Sequence, residues 1–275
     1  MLKRLRAAHP IVYCILAEVL FLVMLFVGGT ALTLLLFFAG ADFATLDEYL
    51  ITILQELVGI LTAVVLLWRT GCTGVLRQRG CGFFNGLLVG MYPLVLIGMS
   101  AVSTLTGDRP DLPLKPAGQI CTFLVGMMMV GVAEEFLFRG VIARTLLEHF
   151  GTSRAGVWKA CLVSGALFGA AHLTNIVGSE VFGVLMQCVF AFSLGTMFTA
   201  IYFRTGNLWV TVLLHGSMDI VSMLIGGLYG TTTVAESVST YDASMFVSLA
   251  IYLIPAAFLL RRKKLGEVEL YLHKK

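Results

Sequence analysis

The sequence predicts an all-α fold, a polytopic membrane bundle of about eight transmembrane helices in one membrane domain covering residues 1–275. Three observations lead there. Hydrophobic residues make up 58% of the chain and charged residues only 13%, where a soluble domain is nearer half and a quarter. The apolar residues gather into runs long enough to cross a bilayer, roughly 20 residues each. The basic residues alternate along the chain with those runs. A mean hydropathy of +0.92 excludes an ordinary cytosolic enzyme and a disordered chain.

The runs fall at about 11–38, 50–68, 83–104, 118–139, 157–178, 181–203, 207–228 and 244–260. The first follows Lys3, Arg4 and Arg6 and is too long for the apolar part of a signal peptide. It reads as a retained anchor, although Ala39-Gly40-Ala41 resembles a cleavage site. The remaining runs lack the two-residue alternation of a lipid-facing barrel strand. Helices are then the spanning element, because only they or closed barrels satisfy their backbone in lipid. The six cysteines read as unpaired small hydrophobes, since four lie inside apolar runs and Cys72 and Cys81 are spaced too widely for a zinc knuckle.

Charge placement sets the topology. With a cytoplasmic N-terminus, the inner segments hold Lys3, Arg4, Arg6, then Arg69, Arg77, Arg79, then Arg139, Arg144, Arg154, Lys159, then Arg204, then Arg261, Arg262, Lys263, Lys264, Lys274 and Lys275. That is 17 of the 19 Lys and Arg residues, leaving only Arg109 and Lys115 outside. The outer loops carry Asp42, Asp47, Glu48, Asp108, Asp111, Glu180, Glu236 and Asp242. The positive-inside rule then puts both termini in the cytoplasm. The basic tail from Arg261 reads as a topology anchor near anionic lipid, and no nucleic-acid partner is expected.

Ionisable side chains within the runs carry the chemistry, because each costs at least ~2.5–3.5 kcal/mol at a helix centre unless partnered or facing a wet interior. They are Glu18, Glu56, Glu134, Glu135, His172, His215 and Asp219, five of them in runs four, five and seven. In Glu134-Glu135-Phe136-Leu137-Phe138-Arg139, residues 135 and 139 share a helix face and can pair. Glu134, about 100° round the helix, is left looking across the bundle. In Phe168-Gly169-Ala170-Ala171-His172 the small residues admit a close neighbouring helix, so His172 sits in a tight helix contact near mid-membrane. Asn175, one turn on, either orients that ring or caps the span. In His215-Gly216-Ser217-Met218-Asp219 the imidazole and carboxylate share a face, and Asp219 can fix the tautomer of His215. Counted from the cytoplasmic ends, His215 is ~12 Å deep and His172 ~18–22 Å, which favours one cavity open to the cytoplasmic half. Ser164 and Ser217 lie near the histidines, but small polar residues are common at membrane helix contacts.

Glu-Glu-x-x-x-Arg, then Phe-x-x-x-His, then His-x-x-x-Asp, in three successive apolar segments, resembles the CPBP family of intramembrane proteases. That family includes the type 2 CAAX prenyl endopeptidases and bacteriocin-processing and immunity-associated proteins. The resemblance covers roughly 118–228, the expected catalytic core, and extends to Gln187 and to Arg204-Thr205-Gly206-Asn207-Leu208-Trp209. It implies that Glu134 activates water, that His172 is its partner, and that His215 and Asp219 steady the oxyanion or the site. Glu135 and Arg139 match the supporting positions, with Phe168 and Asn175 beside them. The last position is often Asn in the prenyl-processing branch and is Asp219 here. An ionised Asp cannot donate to an oxyanion, so Asp219 orients His215, carries a proton or binds a metal.

The expected substrate is a membrane-associated protein or peptide, lipidated in some branches of the family, and the expected location a multi-pass position in a bacterial plasma membrane. The favoured chemistry needs no cofactor. The family also carries the name metalloprotease, and Glu134, His172, His215 and Asp219 form an acceptable zinc set. The chain lacks the His-Glu-x-x-His helix that binds zinc and supplies a base together. Two other functions use the same residues: a proton- or ion-coupled transporter, for which no inverted repeat is visible, and a non-catalytic immunity or scaffold protein that keeps the cavity.

Overall fold

The apolar runs become helices because a backbone in lipid must satisfy its own hydrogen bonds. A computed structural model describes residues 1–42 and 46–273, and all regular structure among them is helical. In chain order the α-helices are α1 (Leu2–Ala8), α2 (Pro10–Phe38), α3 (Glu48–Thr70), α4 (Phe83–Val89), α5 (Met91–Thr106), α6 (Ala117–Glu135), α7 (Arg144–Phe150), α8 (Arg154–Ala171), α9 (Val181–Thr205), α10 (Leu208–Ser222), α11 (Leu224–Tyr229), α12 (Val234–Ser239), α13 (Val247–Leu259) and α14 (Leu265–His273). A π-helical segment, Phe136–Ala143, joins α6 to α7.

Local signals place the ends. Asp47 accepts the Tyr49 amide to cap α3, and Asn207 accepts the Trp209 amide to cap α10. Thr233 and Glu236 close a reciprocal capping box on α12. The outer face of α2 shows Ile15, Leu16, Val19, Leu20, Val23 and Phe26, the apolar surface a helix presents to lipid. α9 is the central helix, buried without a break from Ser193 to Thr205.

Five helical stretches are long and apolar enough to cross a bilayer, or seven if each of two bent pairs is one span. With α10 the count matches the expected number of about eight. The spans are less regular than the runs suggested. The third breaks at Gly90, where α4 and α5 meet at 79°. The fourth does not stop at residue 139: helix continues through the π segment to Phe150, 34 residues in all. Arg139, the last residue of that run and counted with the inner basic segment, is followed by further helix and is fully buried in the bundle. The seventh is divided, and the 15 residues of α10 extend only about 22 Å, short of a ~30 Å hydrocarbon core.

The segments expected on one side of the membrane do meet one another. Arg6 of α1 pairs with Glu148 of α7 at 2.7 Å. Gln78 donates to the Tyr271 carbonyl, Asn207 to the Arg79 carbonyl and Trp209 to the Leu76 carbonyl. At the other end, Lys115 reaches Glu48 at 3.6 Å, and Ser239 accepts the Glu180 amide. Lys274 and Lys275 of the basic tail lie outside the described residues. The six cysteines are free.

Candidate active site

Close backbone approach of α6 and α10 builds the site. A Cβ on Gly131 would lie 2.7 Å from the Gly216 amide nitrogen, closer than two such atoms come. Only glycine lets these helices touch at that level. One turn beyond Gly131, the adjacent glutamates of α6 face His215 of α10.

Arg139 Nη1 pairs with Glu135 Oε1 at 2.7 Å, both side chains being fully buried. The i,i+4 pairing expected from the sequence is realised. A buried pair is expensive to desolvate and needs further partners. Arg139 Nη2 donates to the Gly195 carbonyl at 3.3 Å. The guanidinium also lies over the rings of Phe168 and Phe198, 4.8 and 5.5 Å from their centroids. Gly195 is needed here, because a Cβ at that position would strike the Phe168 ring at 2.8 Å.

Glu135 has a second task that the sequence assigned elsewhere. Its Oε1 is 2.9 Å from His215 Nδ1. The residue that orients His215 is thus Glu135 rather than Asp219. The i,i+4 spacing does bring Asp219 to the same ring, but to the other nitrogen, with Oδ2 3.7 Å from Nε2. Glu134 Oε2 lies 3.5 Å from that Nε2. One imidazole therefore has Nδ1 locked to a neutralised carboxylate and Nε2 between two carboxylates. With Nδ1–H given to Glu135, Nε2 donates only from the imidazolium.

Glu134 looks across the bundle as its position on the helix implied, though toward His215. His172 stands apart. It closes α8 and opens a short 3₁₀ turn to Ile176, and the small residues before it admit α9 closely, a Cβ on Gly169 lying 2.8 Å from the Cys188 carbonyl oxygen. Its Nδ1 is 2.8 Å from the Phe168 carbonyl. Its ring meets that of Phe168 edge-on at 5.0 Å, and Phe168 meets His215 at 5.6 Å. Asn175 neither orients His172 nor caps α8; it donates to Gln187 Oε1 at 2.8 Å, joining two residues singled out separately in the sequence. Ser164 donates to the Phe138 carbonyl and accepts from Thr199, so it packs helices together.

Burial shows how the cluster is reached. Phe138, Arg139, Phe168 and Phe198 seal it on the side of α7 and the start of α8. Glu134 and Asp219 keep side-chain exposures of 22% and 26%, His172 is half-buried, and Leu173 and Thr174 beyond it are at the surface. The partly exposed members of the group, Asp219 and His172, belong to the ends of α10 and α8, and the fully buried ones, Glu135 and Arg139, to the end of α6 and the π segment.

Phe198, Gly195 and Glu56 also belong to the surroundings of the cluster. The first two carry no signal in an apolar helix. Glu56 stood out only as an acid inside a run. Zinc fits the arrangement poorly. Among the described residues no three His, Cys, Asp or Glu side chains group as metal ligands would, and His215 commits Nδ1 to Glu135.

Fold and cluster together define a class: a polytopic helical membrane protein with an acid–histidine centre in its interior, suited to proton transfer away from bulk water. Residues 116–221 match the family described as type II CAAX prenyl endopeptidase Rce1-like. The match spans Glu134, His172, His215 and Asp219, so the segment that holds the cluster is similar to that family over residues 116–221. A comparison with curated proteins gave no match.

Proposed function

We propose that the protein is an intramembrane endopeptidase that cleaves a membrane-associated protein or peptide with water activated by Glu134, and that residues 118–228 form its catalytic core. The observation that carries this reading is His215, held at Nδ1 by Glu135 and flanked at Nε2 by Glu134 and Asp219. Glu134 takes a proton from water while the water oxygen attacks the scissile carbonyl carbon. The carbonyl π pair moves onto oxygen, which accepts N–H from His215 Nε2. Collapse restores the carbonyl and breaks the C–N bond, and the proton on Glu134 passes to the leaving nitrogen. Asp219 balances the imidazolium charge. His172, with Nδ1 engaged by the Phe168 carbonyl, keeps Nε2 for the water or the substrate.

The chemistry requires no metal from these residues. The family description names a prenyl endopeptidase, and a lipid-modified peptide held at the membrane is the substrate class proposed. Both termini are proposed to be cytoplasmic. Impermeant thiol labelling of single cysteines placed at Lys3 and at Asp111 tests this, with only the latter expected to react from outside.

Glu134→Gln is the decisive variant. It keeps the shape of the side chain and removes the base. Comparative sequencing of membrane-peptide termini should show cleavage products in wild-type cells that vanish with E134Q, while the purified variant stays monodisperse. Unchanged products would overturn the reading.

A further inference from the structure

We propose that Glu56 of α3 is a positioning residue for the base: it is held as a neutral carboxylic acid, and its O–H is directed toward the Glu134 carboxylate. This rests on the proteolytic reading above. Helix packing brings Glu56 to the site. Gly126 of α6 lies against Tyr49 and Ile53 of α3, and Glu56 follows on the same stripe of α3 one turn later. α6 is thereby held between α3 and α10, with Glu134 further along it. Glu56 Oε2 is sealed from solvent and has no hydrogen-bond partner.

The charged groups that act on Glu56 come from two elements, Glu134 of α6 and His215 and Asp219 of α10. Arg139 of the π segment acts instead on Glu134 and Glu135. α2, on another side of α3, meets it through Phe21, Leu25, Gly28 and Gly29, and its own acid, Glu18, acts on Cys14.

Charge balance gives the protonation state. Arg139 is matched by Glu135, and the imidazolium of His215 matches one further carboxylate. Glu134, Asp219 and Glu56 make three. Unmatched carboxylates in a low-dielectric interior repel one another, so the set retains at least one proton. Glu134 and Asp219 flank Nε2 within 3.7 Å, and Glu56, with an orphaned buried Oε2, is the one of the three with no cation paired to it among the described residues. A proton there turns an unsatisfied acceptor into a donor, which is what the ionised base Glu134 needs to stay ionised and oriented.

Two measurements test this. Infrared spectroscopy of the purified protein at neutral pH should show a protonated-carboxyl stretch that disappears in Glu56→Gln; this arm needs no substrate. In cleavage assays, E56Q, whose amide still donates, should lose about threefold in kcat, and Glu56→Leu roughly thirtyfold with KM unchanged. The acid limb of the E56L pH–rate profile should move to higher pH, because the base loses a hydrogen bond to its charged form. A general packing defect would lower kcat equally at all pH and move no limb. A carboxyl band that persists in E56Q, or an E56L enzyme with wild-type kcat and pH profile, would overturn the proposal. If the wild type cleaves nothing, the proteolytic reading fails while the infrared arm still decides the state of Glu56. If E56L does not fold, the band in E56Q decides alone.

Discussion

Glu135 and His215, 80 positions apart, are joined by a 2.9 Å hydrogen bond between Oε1 and Nδ1, and the same oxygen receives Arg139 at 2.7 Å. One carboxylate thus holds the structural cation and the imidazole of the site. This arrangement divides the adjacent glutamates into a buried support and a partly exposed group with freedom to exchange a proton.

Removing Arg139 should be costly. Arg139→Leu leaves Glu135 as an uncompensated buried charge, a loss of about 3–5 kcal/mol. The double variant Arg139→Leu with Glu135→Gln should recover much of that stability, without activity, since His215 loses its anchor. Thermal unfolding in detergent measures both, and equal instability of single and double variants would contradict the coupling.

Asp219→Asn should be tolerated. Glu135 already fixes the ring, and Asn preserves the shape of Asp. We expect kcat/KM to fall by about tenfold or less, whereas Glu135→Gln should cost roughly a hundredfold. A larger loss from D219N than from E135Q would restore Asp219 as the orienting residue.

Gly131→Ala tests the helix contact. The new methyl would meet the Gly216 backbone at 2.7 Å, and backbone cannot swing aside as a side chain can. A loss of about 1–3 kcal/mol should accompany a drop in activity through displacement of Glu134 from His215. Gly98→Ala, with open space at its Cβ position, is the control.

The C-terminal helix should respond to acid. Beyond the last span, Glu267 of α14 pairs with Arg204 at 2.7 Å and with Lys264 at 2.6 Å. Burial pushes its carboxyl up, and hydrogen bonds from Lys264 and Arg204 outweigh this and hold it below the usual carboxylate range. A lowered acid contributes stability above its unfolded-state value and loses it as pH falls through the folded value. Hydrogen exchange over residues 265–271 should therefore be slow at neutral pH and accelerate below about pH 4. Glu267→Gln should exchange faster at neutral pH, with little further change on acidification.

Cleavage should survive exhaustive chelation, with less than one zinc per chain by elemental analysis. Activity that is lost on chelation and restored by zinc alone would return Glu134, His172, His215 and Asp219 to the role of a ligand set.

Much of this molecule was determined by sequence alone. Runs such as 11–38 and 181–203 must be helical in lipid, and four-residue spacing puts Glu135 with Arg139, and His215 with Asp219, on shared faces. Those are local properties, complete within a few turns of one helix. Which carboxylate meets which imidazole nitrogen was decided only by tertiary structure. It depends on the rotation and approach of separate helices, set here by Gly131 against Gly216 and by the π segment after Glu135. The burial of Arg139 and the end of α8 at His172 arise the same way, because periodicity along one helix carries no information about the rotation of its neighbours.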